Sequence, residues 1–430
     1  MSKISRENIA KRKEAAPLFV VTYTYPPWAG PQGVVASKLT KYLLKSGWTP
    51  IVLTSFPKIE RGPINPLEIP EELVHREPSW ECWEEEKPIL KFTGKIFSKI
   101  PGGVLLFRGL IYRYDWQWRK KIVRKGMELA ERCKPSIILA SCGLAPEGLL
   151  AAMELSQKLH IPWIAHMRDP WAKTRDGGKL FSFLLQRFKE KIERRVLSNA
   201  SAIITASEEF DFCVDRNKKP IYVIYHGYDP EAYPQNVSLL PQFTITYCGS
   251  LLGMPIAPLF RAIAKLKEEN YTKRYPLKLR FFTLEEERKQ IEATAKGFSL
   301  SDIVEALPFV PHKEVMERMC ESTLLLALRN LPKFYTHLGT KFPEYMGAKR
   351  PILLLSTRDS LSARMVSSLR AGFVCENEED IYLFLKKALA DFYLRGDIEW
   401  EPDWEGIESF SWEKLARKFG EILGMYARRE

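Results

Sequence analysis

Apolar residues along this chain fall into short continuous runs separated by longer segments of helical spacing. The run "LFVVT" from Leu18 and the run "TPIVLTS" (Thr49 to Ser55) show no apolar–polar alternation. Strands of this kind are buried on both faces, as in parallel sheets. Between them "GVVASKLTKYLLKSG" sets Val34, Val35, Leu39, Tyr42 and Leu43 on one helical face, with Gly47 as the C-terminal cap. This predicts a βαβ unit. Proline and glutamate crowd the stretch from Phe56 to Lys87, which reads as an insertion or long loop. The alternation then resumes with strands at "SIILAS" (Ser136 to Ser141), "IPWIAHM", "AIITAS" (Ala202 to Ser207) and "IYVIY", separated by helical segments.

A proline-rich, aperiodic stretch from about Tyr228 to Pro241 reads as a linker. Beyond it the same order of elements begins again. Strands are expected at "FTITYCGS" (Phe243 to Ser250), "LKLRFFT" (Leu277 to Thr283), "TLLLAL" (Thr323 to Leu328), "PILLLS" (Pro351 to Ser356) and "GFVCE" (Gly372 to Glu376), and a helix ends the chain. The chain thus reads as two α/β halves of similar size. Ligands of open α/β sheets bind at the carboxyl ends of strands, so with two such domains the expected site is a cleft between them. The loop "YPPWAGPQG" follows the first strand. Gly30 and Gly33 there would let the backbone approach a ligand, and the next helix start offers N–H groups to an anion. A tight turn with no ligand is the alternative.

Composition narrows the class. A chain of 430 residues with 45% hydrophobic content suffices for two to three domains. No run of about eighteen apolar residues predicts a membrane span, and "MSKISRENIAKRKEAAP" is too polar for a secretory signal. Seven scattered cysteines with no CxxC pair fit a reducing cytosol and suggest neither a zinc site nor a disulfide framework. The net charge of +12 calls for either solubility or an acidic partner. Its distribution is informative. From Lys91 to Lys134 there are twelve basic residues against three acidic ones, with seven aromatics interleaved, and "FSFLLQRFKEKIERRVL" (Phe181 to Leu197) repeats the theme. Such a face suits a membrane interface, where it would make a peripheral contact, or it is a solvated surface over the core. No RRM or zinc finger supports a nucleic-acid partner.

Several stretches in fixed order, "VTYTYPPWAGPQGVVASKLTKYLLKSGWTPIVLT", "IPWIAHMRDPW", "ITASEEF", "VIYHGYDPEAY", "ITYCGSLLG" and "KFPEYMGAKRPILLLS", resemble glycosyltransferase family 4, the retaining GT-B enzymes that use nucleotide sugars. The resemblance spans about Leu18 to Ser356. It implies an α/β GT-B fold of two facing Rossmann-like domains with an interdomain cleft. The expected parts are a basic tail over 1–16, an acceptor domain over 17–228, a nucleotide-sugar domain over 229–405, and a C-terminal helix over 406–430 that returns to the first domain. It also implies that no cofactor or metal is required, the nucleotide sugar being a substrate.

The same resemblance assigns residues. Glu344 matches the second glutamate of the family's E-x7-E motif and would bind the ribose hydroxyls; the plain alternative is a glutamate favoured by the helix dipole. Lys341 would meet the diphosphate, with Thr340 at the helix start beside it. The turn "YCGSLLG", with Gly249 and Ser250, would lie under the diphosphate, and Arg329 would substitute for the basic residues that many members carry after that turn. Gly33 would join the donor side, and Trp28 and Gly30 the acceptor side. In "HMRDPW", His166, Arg168 and Asp169 would sit at the cleft floor as catalytic residues beside the acceptor, or they are a core histidine and a structural pair. Asp229 in "HGYDP" would cap a turn. One departure is clear: the first glutamate of the motif falls at Thr336. The implied function is sugar transfer to a lipid-linked or saccharide acceptor in envelope or exopolysaccharide assembly, in the cytoplasm or at the inner membrane face. A non-catalytic sugar-nucleotide-binding protein of this fold and a sugar-nucleotide epimerase are the alternatives.

Overall fold

The computed structural model describes residues 16–27, 31–56, 66–79, 115–142, 146–169, 171–172, 181–210, 212–215, 218–329, 336 and 338–428. The chain divides into two compact units. One takes the described residues up to Tyr225 together with those from Leu415 onward, and the other runs from His226 to Lys414.

The first unit is built on a seven-stranded sheet of order β3-β2-β1-β4-β5-β6-β7. Its strands are β1 (Ala16–Thr22), β2 (Trp48–Ser55), β3 (Val74–Glu77), β4 (Ile137–Cys142), β5 (Trp163–Met167), β6 (Ala202–Thr205) and β7 (Ile221–Val223). Every pairing is parallel; Val20, for example, lies between Val52 and Leu139. All six residues of β4 and all five of β5 are buried, which is why their runs carry no polar alternation. The helices are α1 (Pro31–Lys45), α2 (Trp116–Cys133), α3 (Glu147–Leu159) and α4 (Phe181–Asn199). Asp115 caps α2 by accepting from the Trp118 N–H at 3.0 Å, and Trp118 itself is fully buried.

The second unit has a six-stranded sheet of order β10-β9-β8-β11-β12-β13, also wholly parallel. Its strands are β8 (Phe243–Cys248), β9 (Leu277–Thr283), β10 (Val304–Pro308), β11 (Leu324–Leu328), β12 (Ile352–Leu355) and β13 (Gly372–Cys375). They alternate with α5 (Ala257–Glu268), a short α6 (Tyr271–Arg274), α7 (Glu285–Gly297), α8 (His312–Cys320), α9 (Lys341–Gly347), α10 (Leu361–Ser368) and α11 (Glu378–Arg395), followed by α12 (Trp404–Glu408). The last helix, α13 (Trp412–Tyr426), has its later part in the first unit. There Phe419 sets its ring edge against His166 at 5.0 Å, the hydroxyls of Tyr426 and Tyr222 lie 3.1 Å apart, and the Arg428 N–H donates to the Ser136 carbonyl.

Two strands depart from the sequence reading. The proline- and glutamate-rich stretch after Phe56 contains β3, paired with β2, and β10 was not expected at all. Both are edge strands, and most of their residues are only half-buried. They therefore lack the continuous apolar run that marks the central strands.

In each sheet the strand order reverses once, between β1 and β4 in the first and between β8 and β11 in the second. Such reversals are where open α/β sheets bind ligands, beyond the carboxyl ends of the strands.

Candidate functional site

In the second unit, β8 ends in the turn at Gly249 and β11 ends at Arg329, so both sides of the strand-order reversal carry residues singled out by sequence. Gly249 has φ +110°, a region closed to most L residues, and its N–H donates to the Phe282 carbonyl at 2.8 Å. A Cβ built there would strike Cε and Nζ of Lys341. The lysine chain thus lies directly over the turn. Its ammonium donates to the Tyr247 hydroxyl and the Ser250 carbonyl, each at 3.2 Å, and sits 4.6 Å from the centre of the Tyr247 ring. These acceptors are neutral. Burial, and then the Arg329 charge, hold the Lys341 pKa down to about 8. Arg329 donates from Nη2 to the Leu338 carbonyl at 3.1 Å, and burial lowers its pKa too. Lys341 thus lies over the Gly249 turn, while Arg329 lies against Gly339 just ahead of α9, near enough for its charge to act on Lys341.

Thr340 precedes α9, and its side chain makes no capping bond. One turn along from Lys341, the Glu344 carboxylate keeps 23% of its side chain exposed and lies 3.4 Å from His312 Nε2. Its backbone carbonyl accepts from the hydroxyl of the half-buried Tyr233 at 2.7 Å. Tyr228 and Tyr233 press on α9 at Gly347, where a Cβ would come within 2.5 Å of both. Asp229 accepts from the Glu231 N–H at 2.9 Å and so caps the short turn Pro230–Ala232.

Glu287 escaped the sequence reading. It stands in the first turn of α7, where the acidic run "LEEER" reads as ordinary dipole complementation. In the fold it clamps the loop after β8, accepting from Ser250 Oγ at 2.7 Å, from the Leu251 N–H at 2.9 Å and from Thr283 Oγ1. Burial alone would raise its pKa, but these bonds outweigh it and hold the carboxyl below its ordinary value. Tyr247, the platform under Lys341, was likewise legible only as a strand residue.

In the first unit, the loop after β1 is reached only in part. Pro26–Pro27 is a cis bond, and Arg76 donates to the Pro26 carbonyl at 2.9 Å. Trp28 and Gly30 lie outside the described residues, while Gly33 is buried in the first turn of α1. His166 is 1% exposed, bonds through Nδ1 to Ser141 Oγ at 3.2 Å, and is covered by Phe419. Arg168 follows β5 and donates to the Gln32 carbonyl of α1 at 2.7 Å, with Asp169 next to it in the chain. The fold thus brings His166, Arg168 and the start of α1 to one edge of the first sheet. Gly249, Ser250, Arg329, Thr340, Lys341 and Glu344 gather at the corresponding edge of the second. Thr336 is described, but most of the loop around it lies outside the described residues. Among the described residues no three His, Cys, Asp or Glu side chains gather as metal ligands, and no helix is long and apolar enough to cross a membrane.

No protein-family model and no curated protein sequence matches this chain. Solved structures do. The chain is similar to sucrose-phosphate synthase from Thermosynechococcus elongatus, with TM-score 0.62 and 14% identity, covering 95% of this chain and 98% of that one. It is similar to Anabaena HepE in complex with UDP and glucose, with TM-score 0.59 and 13% identity over 96% of this chain and 100% of that one. A glycosyltransferase from Rickettsia africae matches with TM-score 0.59 and 14% identity over 96% of this chain and 99% of that one. The fold is therefore that of the GT-B glycosyltransferases, two Rossmann-like domains each on a parallel sheet.

Proposed function

We propose that this protein is a glycosyltransferase that takes a sugar from a nucleotide-sugar donor held on its second domain. The observation that carries this reading is Lys341 lying over the Gly249 turn, with the charge of Arg329 acting on it from beside Gly339 and the Glu344 carboxylate one helical turn away. Two partly desolvated cations, one of them over a glycine turn, suit a diphosphate, and a carboxylate beside them suits a pair of ribose hydroxyls. The bound UDP of the similar HepE structure supports a nucleotide as the ligand.

In this reading Lys341 and Arg329 stabilise the charge that grows on the diphosphate as it leaves an oxocarbenium-like centre. The Gly249–Ser250 turn, held by Glu287, lets the phosphates approach the backbone. The acceptor hydroxyl attacks from the face the diphosphate vacates, and the leaving phosphate takes its proton. Configuration is then retained with neither a protein nucleophile nor a required metal. His166, Arg168 and Asp169, with the loop at Trp28 and Gly30, serve the acceptor. The basic, aromatic faces of α2 and α4 bring a lipid-linked or saccharide acceptor of envelope or exopolysaccharide assembly from the inner membrane face.

The test has two arms. Calorimetry with UDP-, GDP- and TDP-sugars should find one tight class, and Glu344→Ala should weaken it by about 1.5–3 kcal/mol, the scale of a hydrogen bond to a charged group. Transfer of radiolabelled sugar to a membrane extract separates an enzyme from a binding protein. A folded Glu344→Ala protein with unchanged affinity refutes the ribose role, and binding without transfer favours the non-catalytic alternative.

A further inference from the structure

Glu344 is fixed at its backbone and far less so at its carboxylate. Its carbonyl accepts from the Tyr233 hydroxyl at 2.7 Å and from the Ala348 N–H at 3.1 Å. The next residue, Tyr345, is fully buried, and its hydroxyl accepts from the Cys248 N–H at 3.1 Å. Packing therefore sets the direction in which the Glu344 side chain leaves the helix, but the torsions beyond Cβ still offer several staggered positions. Among the described residues one side-chain hydrogen bond reaches the carboxylate, from His312 Nε2 to Oε1 at 3.4 Å. A carboxylate only accepts, so Nε2 is the nitrogen that carries the proton in this contact. The bond engages one of two oxygens on a side chain that is 23% exposed, and the remaining acceptor positions are open to hydroxyl groups.

His312 is itself well placed. It opens α8 directly after Pro311, whose ring holds φ at −55°. Met316 and Met319 bury the inner face of the same helix. The contact thus joins the first turns of α8 and α9, 32 positions apart in the chain. A carboxylate that must meet two neighbouring hydroxyls at once binds them better when its orientation is fixed beforehand, because less rotamer freedom is lost on binding.

We propose that His312 is a positioning residue: it holds the Glu344 carboxylate in the orientation that accepts both ribose hydroxyls, and so sets a preference for ribonucleotide over deoxyribonucleotide donors. The inference rests on the donor reading above, in which Glu344 meets the ribose. His312 acts through Glu344.

The experiment measures, by calorimetry on the full-length protein, the affinities of UDP and GDP, each beside its 2′,3′-dideoxy form. The ratio of ribo to dideoxy affinity reads the contact between carboxylate and hydroxyls, because base and diphosphate are shared. For the better-bound base the parent should show a ratio of about tenfold or more, and Glu344→Ala should bring it close to one. His312→Phe keeps a ring and removes the N–H; it should lower the ratio by about threefold to tenfold and leave dideoxy affinity unchanged. His312→Gln, whose amide nitrogen reaches about as far as Nε2, should keep the parental ratio. His312→Asn, whose amide nitrogen ends near the place of Nδ1, should not. The inference is overturned if His312→Phe keeps the parental ratio, if it weakens ribo and dideoxy forms equally, or if the Gln and Asn variants behave alike. Should His312→Phe fail to fold, the comparison of Gln with Asn decides. A parental ratio near one for both bases sinks the ribose role of Glu344 and this inference with it. A parental ratio that Glu344→Ala abolishes and no His312 variant alters sinks this inference only.

Discussion

Gly249→Ala offers a sharp perturbation of the proposed donor site, because one methyl group does two separable things. The residue sits at φ +110°, so an alanine there stores backbone strain of about 1–3 kcal/mol. That appears as lower stability, a shift of roughly 2–12 °C in Tm for a domain of this size. The methyl also occupies the space of Lys341 Cε and Nζ, which must swing away from Tyr247 and Ser250. If the ammonium normally meets a diphosphate, the loss is that of a charged hydrogen bond, about 1.5–3 kcal/mol, or roughly 10- to 160-fold in Kd. Calorimetry on a double-mutant cycle with Lys341→Met separates the effects. Binding energies of groups in contact are not additive. Gly249→Ala should therefore cost affinity in the parent and almost none in the Lys341→Met background, while lowering Tm in both. Equal loss of affinity in both backgrounds would refute the argument that the glycine acts through the lysine.

The Lys341 pKa of about 8 predicts a pH dependence of donor binding. The ammonium attracts the diphosphate and is present below that value, so affinity should be level at pH 6–7 and fall toward tenfold per unit above pH 8. Lys341→Arg should carry the fall to higher pH, and a level profile to pH 9.5 in the parent would contradict the assignment. On the first domain, replacing Lys120, Lys121, Arg124 and Lys125 of α2 by glutamine should release the protein from acidic vesicles at low salt, each charge contributing about 1 kcal/mol there. Nucleotide affinity should not move, and a quadruple variant that stays on the vesicles would make the face a solvated one; Arg124 and Lys125 already share Glu128.

The architecture was legible because its central strands are buried on both faces. Runs such as Ile137–Cys142 and Leu324–Leu328 have almost no polar position to interrupt them, and their repeated alternation with helices implies parallel sheets. The edge strands Val74–Glu77 and Val304–Pro308 were not legible, because solvent on their open side permits charge within them. Of the candidate site, Lys341, Glu344 and the glycine turn were assigned through the resemblance to glycosyltransferase family 4; local order by itself gave only a charged pair opening a helix before a buried strand and a glycine turn closing one. What only the tertiary structure decided is which neutral groups surround each charge. Lys341 touches a turn about ninety positions away, Glu287 closes on a loop some thirty-six positions earlier, and Arg168 reaches a carbonyl about 136 positions back. The charge on Arg168 is written in the sequence. That it is buried, and that it bonds to a carbonyl of α1, follows from how the sheet orders its strands.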